Sequence, residues 1–400
     1  MPTKPDLPRE KLIPRMSQRV YFTSCEEFDF RLLFALAYVR GGGAEVGECF
    51  SAVQQVGDFD FDGWHRGWLR LAQTVHAQAD ADRKAGNGHS ARSGYQRASN
   101  YLYWAGFFLL PGSAEFLDLH HRSTTAFEAA AGLPGPEFRR ILIPYEGDTL
   151  PGWFFPARTG ARARTLIVMT GTDATNEQLY YFAGGPTAAL RDWNVLCFSG
   201  PGQLSTISVR PGLAFRPDYE NVLPAVVDHA LTMPEVDPDG LALMGFSKGG
   251  YLAPRGAADE PRIKALIANS PITNFHDVIW PGVQRMLDHG GRMGEWAAAL
   301  LQWIYGAPSM DAVRQAMREY NLDGAVERIA CPTLVLDSEG EGERFSTQTE
   351  EFVERLRAPY ERHHFTKEQG ADAHCQINNW TLMHQVVFDW LDRAVPGSAR

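Results

Sequence analysis

The 400-residue chain carries a formal net charge of −10, with 44% hydrophobic and 22% charged residues. That length can bury a sizeable core, as one large domain or two smaller ones, and the composition is that of an ordinary globular protein. The acidic balance speaks against nucleic acid or an anionic membrane surface as the main partner, and the reading expects neither a secretory leader nor a membrane span, because no long apolar run occurs.

Residues 1–135 alternate helical patterns with glycine-rich breaks and show no strong strand runs. A helix is expected over 26–40, carrying Phe28, Phe30, Leu32, Leu33, Phe34 and Leu36, and Gly41-Gly-Gly43 ends it. Trp64, Trp68, Leu71, Ala72 and Val75 recur at helical spacing over 63–84, before the break at Gly86-Asn-Gly88. A third helix is expected over 90–110, stopped by Pro111-Gly112. The aromatic load from Trp64 to Phe108 reads first as helix–helix packing, and second as rings that line a pocket. This region is taken as an N-terminal helical cap domain, residues 1–135, placed over the mouth of a catalytic domain, residues 136–400.

From Phe138 the pattern changes. Residues 138–145 and 150–155 read as two strands joined by Glu146-Gly-Asp148 as a hairpin. Further strands are expected over 166–170, 194–198, 240–245, 263–269, 333–337 and 360–365, with helical segments between most of them. That alternation predicts an α/β class with a mostly parallel central sheet covered on both faces. Residues 271–330 form a long helical insertion, including 294–305 and 310–320, expected to act as a lid.

The richest local signal is Gly245-Phe-Ser-Lys-Gly249, with an apolar strand before it and helix-compatible sequence after it. Strand, sharp turn and helix are the context in which G-x-S-x-G presents a serine nucleophile, here Ser247. A serine hydroxyl is a weak nucleophile and must project where a base can reach it. A bare G-x-S-x-G also arises in glycine-rich turns whose serine is merely hydrogen-bonded, so the flanking elements carry the reading. The pattern resembles the α/β-hydrolase fold, in which an acid and then a histidine follow the serine in chain order.

The apolar run Cys331-Pro-Thr-Leu-Val-Leu336 leads into Asp337-Ser-Glu-Gly-Glu-Gly-Glu343. Laid on Pro332, the Pro-x-Leu-x-x-x-Gly-x-x-Asp pattern of such hydrolases puts Glu341 at the acid position. Asp337, Glu339 and Glu343 remain competitors, and a solvated acidic loop with no chemistry is the bland alternative. His374 lies on the loop before an amphipathic segment, 378–393, where this fold places its general base, whereas His363 and His364 sit within a strand. An oxyanion hole needs two N–H donors: Lys248, after the nucleophile, supplies one, and Thr172, after the strand ending at Thr170, is the candidate for the other, with Asp173 next. The same loop also reads as a turn into a helix cap at Thr175 or Asn176.

His363, His364, His374 and Cys375 show no zinc-type ligand spacing. The five scattered cysteines, Cys25, Cys49, Cys197, Cys331 and Cys375, fit reduced thiols in a cytoplasmic protein, and Cys375 is assigned to packing. The expectation is therefore a small-molecule substrate, no cofactor, no metal, no nucleic acid and no membrane; the reading leaves room for a homodimer.

The segment Gly245-Phe-Ser-Lys-Gly-Gly-Tyr-Leu-Ala-Pro-Arg-Gly-Ala-Ala258 also resembles a distinct group of α/β-hydrolases. That group includes fungal yellowish-green-type polyketide-shortening hydrolases and 2,6-dihydroxypseudooxynicotine hydrolase. Ser199-Gly-Pro-Gly-Gln203, Gly370-Ala-Asp-Ala-His-Cys-Gln376 and Ser93-Gly-Tyr-Gln-Arg-Ala-Ser-Asn-Tyr101 match it as well, over roughly residues 60–393. The resemblance implies a Ser–acid–His triad without cofactor, hydrolysis of a carbon–carbon bond next to a ketone, and a helical N-terminal cover for the site. Carried over by position, Ser247 is the nucleophile, His374 the base and Glu341 the acid, although the group usually has Asp there and Asp rather than Ser199 before Gly-Pro-Gly. An ester, lactone or thioester hydrolase, an acyl-transferring cyclase, or a silent binding protein on the same scaffold are the other readings.

Overall fold

The computed structural model describes residues 15–159 and 162–397. Residues 1–14, on which part of the expectation about a leader rests, lie outside them. Five helices come first: α1 (Glu26–Ala37), α2 (Val46–Val53), α3 (Phe61–Lys84), α4 (Gly88–Gly106) and α5 (Ala114–Ala131). The first helix is shorter than the apolar pattern suggested, because Tyr38–Gly41 tightens into a 3-10 turn that ends at Gly42, whose φ of 78° suits glycine. Helix α5 has no counterpart in the sequence reading. Its signals are Ser113, whose hydroxyl caps Phe116 N at 3.3 Å, and the i, i+3, i+4 buried series Phe116, Leu119, Ser123, Ala126, Phe127 and Ala130.

Eight strands follow: β1 (Arg139–Tyr145), β2 (Asp148–Phe155), β3 (Ala163–Met169), β4 (Trp193–Phe198), β5 (Val236–Phe246), β6 (Ala265–Asn269), β7 (Thr333–Ser338) and β8 (Tyr360–Phe365). They form one sheet in the order β1-β2-β4-β3-β5-β6-β7-β8. Only the β1/β2 and β2/β4 pairs are antiparallel. The β1–β2 turn places Glu146 and Gly147 at φ 46° and 81°, the paired positive φ of the tight hairpin turn that matches strand twist. Strands β3 to β7 are buried at almost every position, as expected where helices cover both faces.

The connecting helices are α6 (Asn176–Phe182), α7 (Gly185–Leu190), α8 (Leu204–Ile207), α9 (Leu223–Leu231), α10 (Gly249–Ala257), α11 (Phe275–His289), α12 (Gly291–Tyr305), α13 (Met310–Met317), α14 (Glu343–Arg355) and α15 (Trp380–Ala394). Helices α11 to α13 interrupt the path from β6 to β7, within the segment expected to be an insertion. Helix α12 docks on the N-terminal helices: Trp296 Nε1 donates to Phe107 O at 3.0 Å, and its ring packs 5.5 Å from Phe107 and 5.3 Å from Phe108. Among the described residues no helix is long and apolar enough to cross a membrane.

The surplus of N-terminal aromatics is spent on packing. Trp64, Trp68 and Trp104 are fully buried, and Trp68 lies 5.7 Å from both Trp64 and Tyr101. Rings of this size in offset contact bury large apolar areas and favour one arrangement of helices. No aromatic between Trp64 and Phe108 lines the cavity described below, so the second reading of those rings is corrected: the N-terminal rings that reach it are Phe30 and Phe34 of α1.

Candidate active site

Strand β5 runs straight into Ser247, whose φ of 57° is a left-handed conformation that costs a non-glycine residue about 1–2 kcal/mol. Helix α10 starts two residues later and turns the chain back sharply. A Cβ at Gly245 would lie 2.0 Å from Gly249 O, so the turn closes only around a glycine. Gly171, after β3, passes just as tightly: a Cβ there would sit 2.8 Å from Ser247 Cβ and 2.9 Å from Lys248 N. The loop carrying Thr172 therefore lies directly against the start of α10, where the first N–H groups of a helix lack internal partners.

That loop is pinned from below. Gln203 Nε2 donates to Thr170 O at 2.5 Å and to Gly171 O at 3.3 Å, while its Oε1 accepts from Gly200 N at 2.6 Å. Ser199 is fully buried and donates to Asn176 Oδ1 at 2.8 Å, so it ties the end of β4 to α6. Helix α6 begins after Thr175, whose N–H donates to Gln178 Oε1 at 3.0 Å. The carboxylate of Asp173 pairs with Arg31 at 2.9 Å and its carbonyl accepts from Tyr103 Oη. Gln203 stands in the sequence as part of a motif, and only the fold shows that it holds this loop.

The four acids of the 337–343 loop separate cleanly. Asp337 is taken up by Arg362 at 2.9 Å and His364 at 2.6 Å. Glu339 is exposed and accepts from Lys367 N at 2.7 Å, and Glu343 is exposed in the first turn of α14. Glu341 is buried, hydrogen-bonds His374 Nδ1, and also accepts from Ser270 Oγ and from Ser338 N, the last at 3.0 Å. His374 is 7% exposed and sits at the start of a short turn whose Cys375 and Gln376 have φ of 56° and 49°. Gln376 holds that turn to the sheet, donating to Ser338 Oγ at 2.8 Å and accepting from Asn269 Nδ2 at 2.8 Å. Burial by itself disfavours the imidazolium, but Cys375 and the Glu341 carboxylate outweigh it and push the His374 pKa up to about 10.

The segment before α1 crosses these loops. His374 N donates to Arg15 O at 2.7 Å, and Ser17 N donates to Asp372 Oδ2 at 3.2 Å. Arg15 and Arg31 share the buried Glu27, with N–O distances of 2.5 and 2.6 Å. Burial disfavours a charged Glu27, yet the two guanidiniums hold its carboxyl below the usual range. None of these three residues stands out in the sequence, because a charge pair on one helix is usually a solvated face. Removing one partner of a buried ion network leaves the others unpaired, at about 3–5 kcal/mol. Glu27→Ala is therefore expected to lower the urea unfolding midpoint clearly.

Ser247 and His374 open onto one cavity of about 140 Å³. Its walls come from Phe30 and Phe34 of α1, Phe275, Ile279, Val283 and Met286 of α11, and Trp296, Leu300, Leu301 and Tyr305 of α12. Thr170, Gly171, Thr172, Asp173, Arg15, Glu27 and Arg31 supply its polar side, and Cys375 also reaches it. The structure thus brings Ser247, Glu341, His374 and Thr172 to one place, with Lys248 N at the foot of Gly171. It leaves Asp337, Glu339, Glu343, His363 and His364 outside. Among the described residues no group of three or more His, Cys, Asp or Glu is arranged to hold a metal ion.

No protein-family profile matches the chain. Individual proteins do. It is 32% identical to the hydrolase acrC of Aspergillus aculeatus, over 93% of this chain and 97% of that one. It is 31% identical to the hydrolase LUC6 of a Fusarium species, over 91% and 96%. Among solved structures, that of 2,6-dihydroxy-pseudo-oxynicotine hydrolase superposes with a TM-score of 0.74 at 19% identity, covering 90% of this chain and 96% of that one. Eight strands in hydrolase order, an elbow serine at a positive φ and these full-length relatives agree: the chain belongs to the α/β-hydrolase family, in the group of fungal hydrolases that includes acrC and LUC6.

Proposed function

We propose that the protein is a serine hydrolase that cleaves a carbon–carbon bond next to a ketone, in a polyketide-like or aryl diketone substrate. In this reading Ser247 attacks the carbonyl, and His374 takes its proton on Nε2 because Nδ1 is committed to Glu341. Glu341 fixes the tautomer and supports the imidazolium. The N–H groups of Lys248 and Thr172 receive the oxyanion, and water then releases the acyl group from Ser247. The single observation that carries the proposal is the His374–Glu341 hydrogen bond at the wall of the same apolar cavity that Ser247 opens onto.

The choice of bond rests on the leaving group. An ester expels an alkoxide that the imidazolium protonates directly. A carbon–carbon cleavage expels a carbanion, which must be delocalised into a neighbouring carbonyl and kept from water until it is protonated. A cavity walled by Phe30, Phe34, Phe275 and Trp296 suits an aryl ketone fragment better than a small polar alcohol. Its volume is close to that of an engineered apolar cavity of about 150 Å³ that takes up benzene. The resemblance to hydrolases of β-diketone-like and aryl ketone substrates, and a fold neighbour named for 2,6-dihydroxy-pseudo-oxynicotine, point the same way.

The test is a ratio of kcat/KM values for an aryl β-diketone and an ester of matched size, since specificity is such a ratio. The diketone should be the better substrate, with the acid and the ketone as its two products. Preference for the ester by roughly a hundredfold without carbon–carbon cleavage would move the assignment to an ester, lactone or thioester hydrolase.

A further inference from the structure

The residue after the elbow serine is a lysine with nowhere ordinary to put its charge. Lys248 is 1% exposed, and among the described residues no carboxylate pairs with it. Its Nζ sits among four aromatic rings, 3.6 Å from the centroid of Phe215, 4.2 Å from those of Tyr305 and Tyr320, and 4.6 Å from that of Phe275. Its Nζ donates a hydrogen bond to Tyr305 Oη at 2.6 Å. An aliphatic side chain would fill such a cage without the cost of burying an amine, so the amine calls for a purpose.

Tyr305 ends α12 and lines the cavity beside Ser247 and His374, whereas Lys248 stands behind it. Because the Tyr305 oxygen accepts from Lys248, its own proton is left for a group in the cavity. The rest of the wall contributed by α11 and α12 is apolar, and Trp296 has given its N–H to Phe107 O. Across the cavity, Arg31 is already spent: Nε and Nη2 bond Glu27 at 2.8 and 2.6 Å, and Nη1 pairs with Asp173 at 2.9 Å.

We propose that Tyr305 is the catalytic proton donor to the leaving enolate, and that Lys248 positions it and receives the tyrosinate charge; this rests on the carbon–carbon reading above. His374 is tethered at Nδ1 and serves the atoms next to Ser247. The charge of a leaving carbanion accumulates instead on a carbonyl oxygen two bonds from the broken one, which needs its own donor. The steps balance. The Ser247 proton moves to His374 as the Oγ–C bond forms. The C–C bond breaks, its electron pair passes to the leaving fragment, and the Tyr305 proton goes to the enolate oxygen. The His374 proton returns to Tyr305 through the entering water, a proton of the attacking water then passes to His374, and it ends on Ser247 Oγ as the acid leaves. One water is consumed, and the products are a carboxylic acid and the enol of a ketone.

Burial pushes the Lys248 amine well below its ordinary value and the Tyr305 phenol well above its own. At rest the Lys248 amine meets ring faces and the neutral Tyr305 hydroxyl, and the tyrosinate formed on donation is the first anion within its reach. The pair therefore gives up the phenol proton only to a strong base such as an enolate.

The experiment compares Tyr305→Phe, Lys248→Met and the double variant with wild type on two substrates sharing one acyl group: an aryl 1,3-diketone, and a 4-nitrophenyl ester whose phenolate leaves without a proton. Active sites are counted by fluorophosphonate labelling of Ser247, so misfolded enzyme is not scored. In each single variant the ratio of diketone to ester kcat/KM should fall about 20-fold or more, and the double variant should lose no more of it than either single one. A purely structural role would lower both substrates alike, and equal losses, or no loss, overturn the donor. If Tyr305→Phe fails to label, the double variant, which no longer buries an unpaired amine, decides the question by the same comparison. Wild-type enzyme that cleaves the ester but no diketone overturns the donor and the carbon–carbon reading together; cleavage of the diketone with undiminished Tyr305→Phe overturns the donor alone.

Discussion

Ser247→Ala is expected to lower kcat by about a millionfold, the scale on which a comparable hydrolase loses turnover with its serine. The loss should fall on kcat rather than on substrate binding, because the apolar walls and the polar loop of the cavity stay in place. The variant should fold and bind product-like ketones with nearly unchanged affinity, measured by calorimetry. Stability adds a second readout. Ser247 has a φ of 57°, and a glycine relieves a left-handed penalty of about 1–2 kcal/mol while raising the entropy of the unfolded chain by somewhat less. Ser247→Gly should therefore be inactive yet at least as stable as Ser247→Ala. Near-normal turnover by either variant would remove Ser247 from the mechanism.

Glu341→Gln should cost about 10⁴-fold in kcat, as when another triad's acid becomes an amide and the histidine is held in the wrong tautomer. The side chain keeps its shape, so its bonds to Ser270 and Ser338 can partly survive, and the loss should exceed what any change in stability explains. The pH profile checks the cause. The base must be neutral, and Cys375 and Glu341 hold the His374 pKa up, at about 10 against the opposing effect of burial. In wild type kcat/KM should therefore climb as pH rises from 6.5 towards 10, because the reactive imidazole is the deprotonated form. Without the carboxylate the imidazolium loses support, so the inflection should move to lower pH in Glu341→Gln. An unchanged inflection, or a loss as large in Asp337→Asn, would assign the role to another group.

The sequence by itself determined the strands and the elbow. Strands β3 to β7 centre on apolar, strand-forming runs, because burial on both faces imposes composition on the residues themselves, whereas the edge strand β8 is polar and mostly unburied. The elbow is legible for a similar reason: a Cβ at Gly245 would meet Gly249 O at 2.0 Å, so the local chain dictates the residue type there. Helix boundaries are less legible. Helix α1 stops three residues early because Tyr38 to Gly41 tightens into a different turn, and α5 escapes a sequence reading because its apolar series is diluted by charged residues.

Only the tertiary structure decided which groups meet. The spacing from Pro332 favours Glu341 but leaves Asp337, Glu339 and Glu343 open. Arg362 and His364 on β8, and Lys367 just after it, take up two of them, and no count along the loop can show that. Gln203, Arg15, Glu27 and Arg31 sit far in sequence from Ser247, and their positions follow from how β4 and α1 pack rather than from any local pattern. The aromatic surplus of residues 64–108 is visible as composition. Its destination is not, because burial in a helix pair and exposure to a cavity place the same demand on a ring: both remove it from water. The same holds for Lys248, whose place in the elbow is written in the sequence while its cage of Phe215, Phe275, Tyr305 and Tyr320 is assembled from four separate segments.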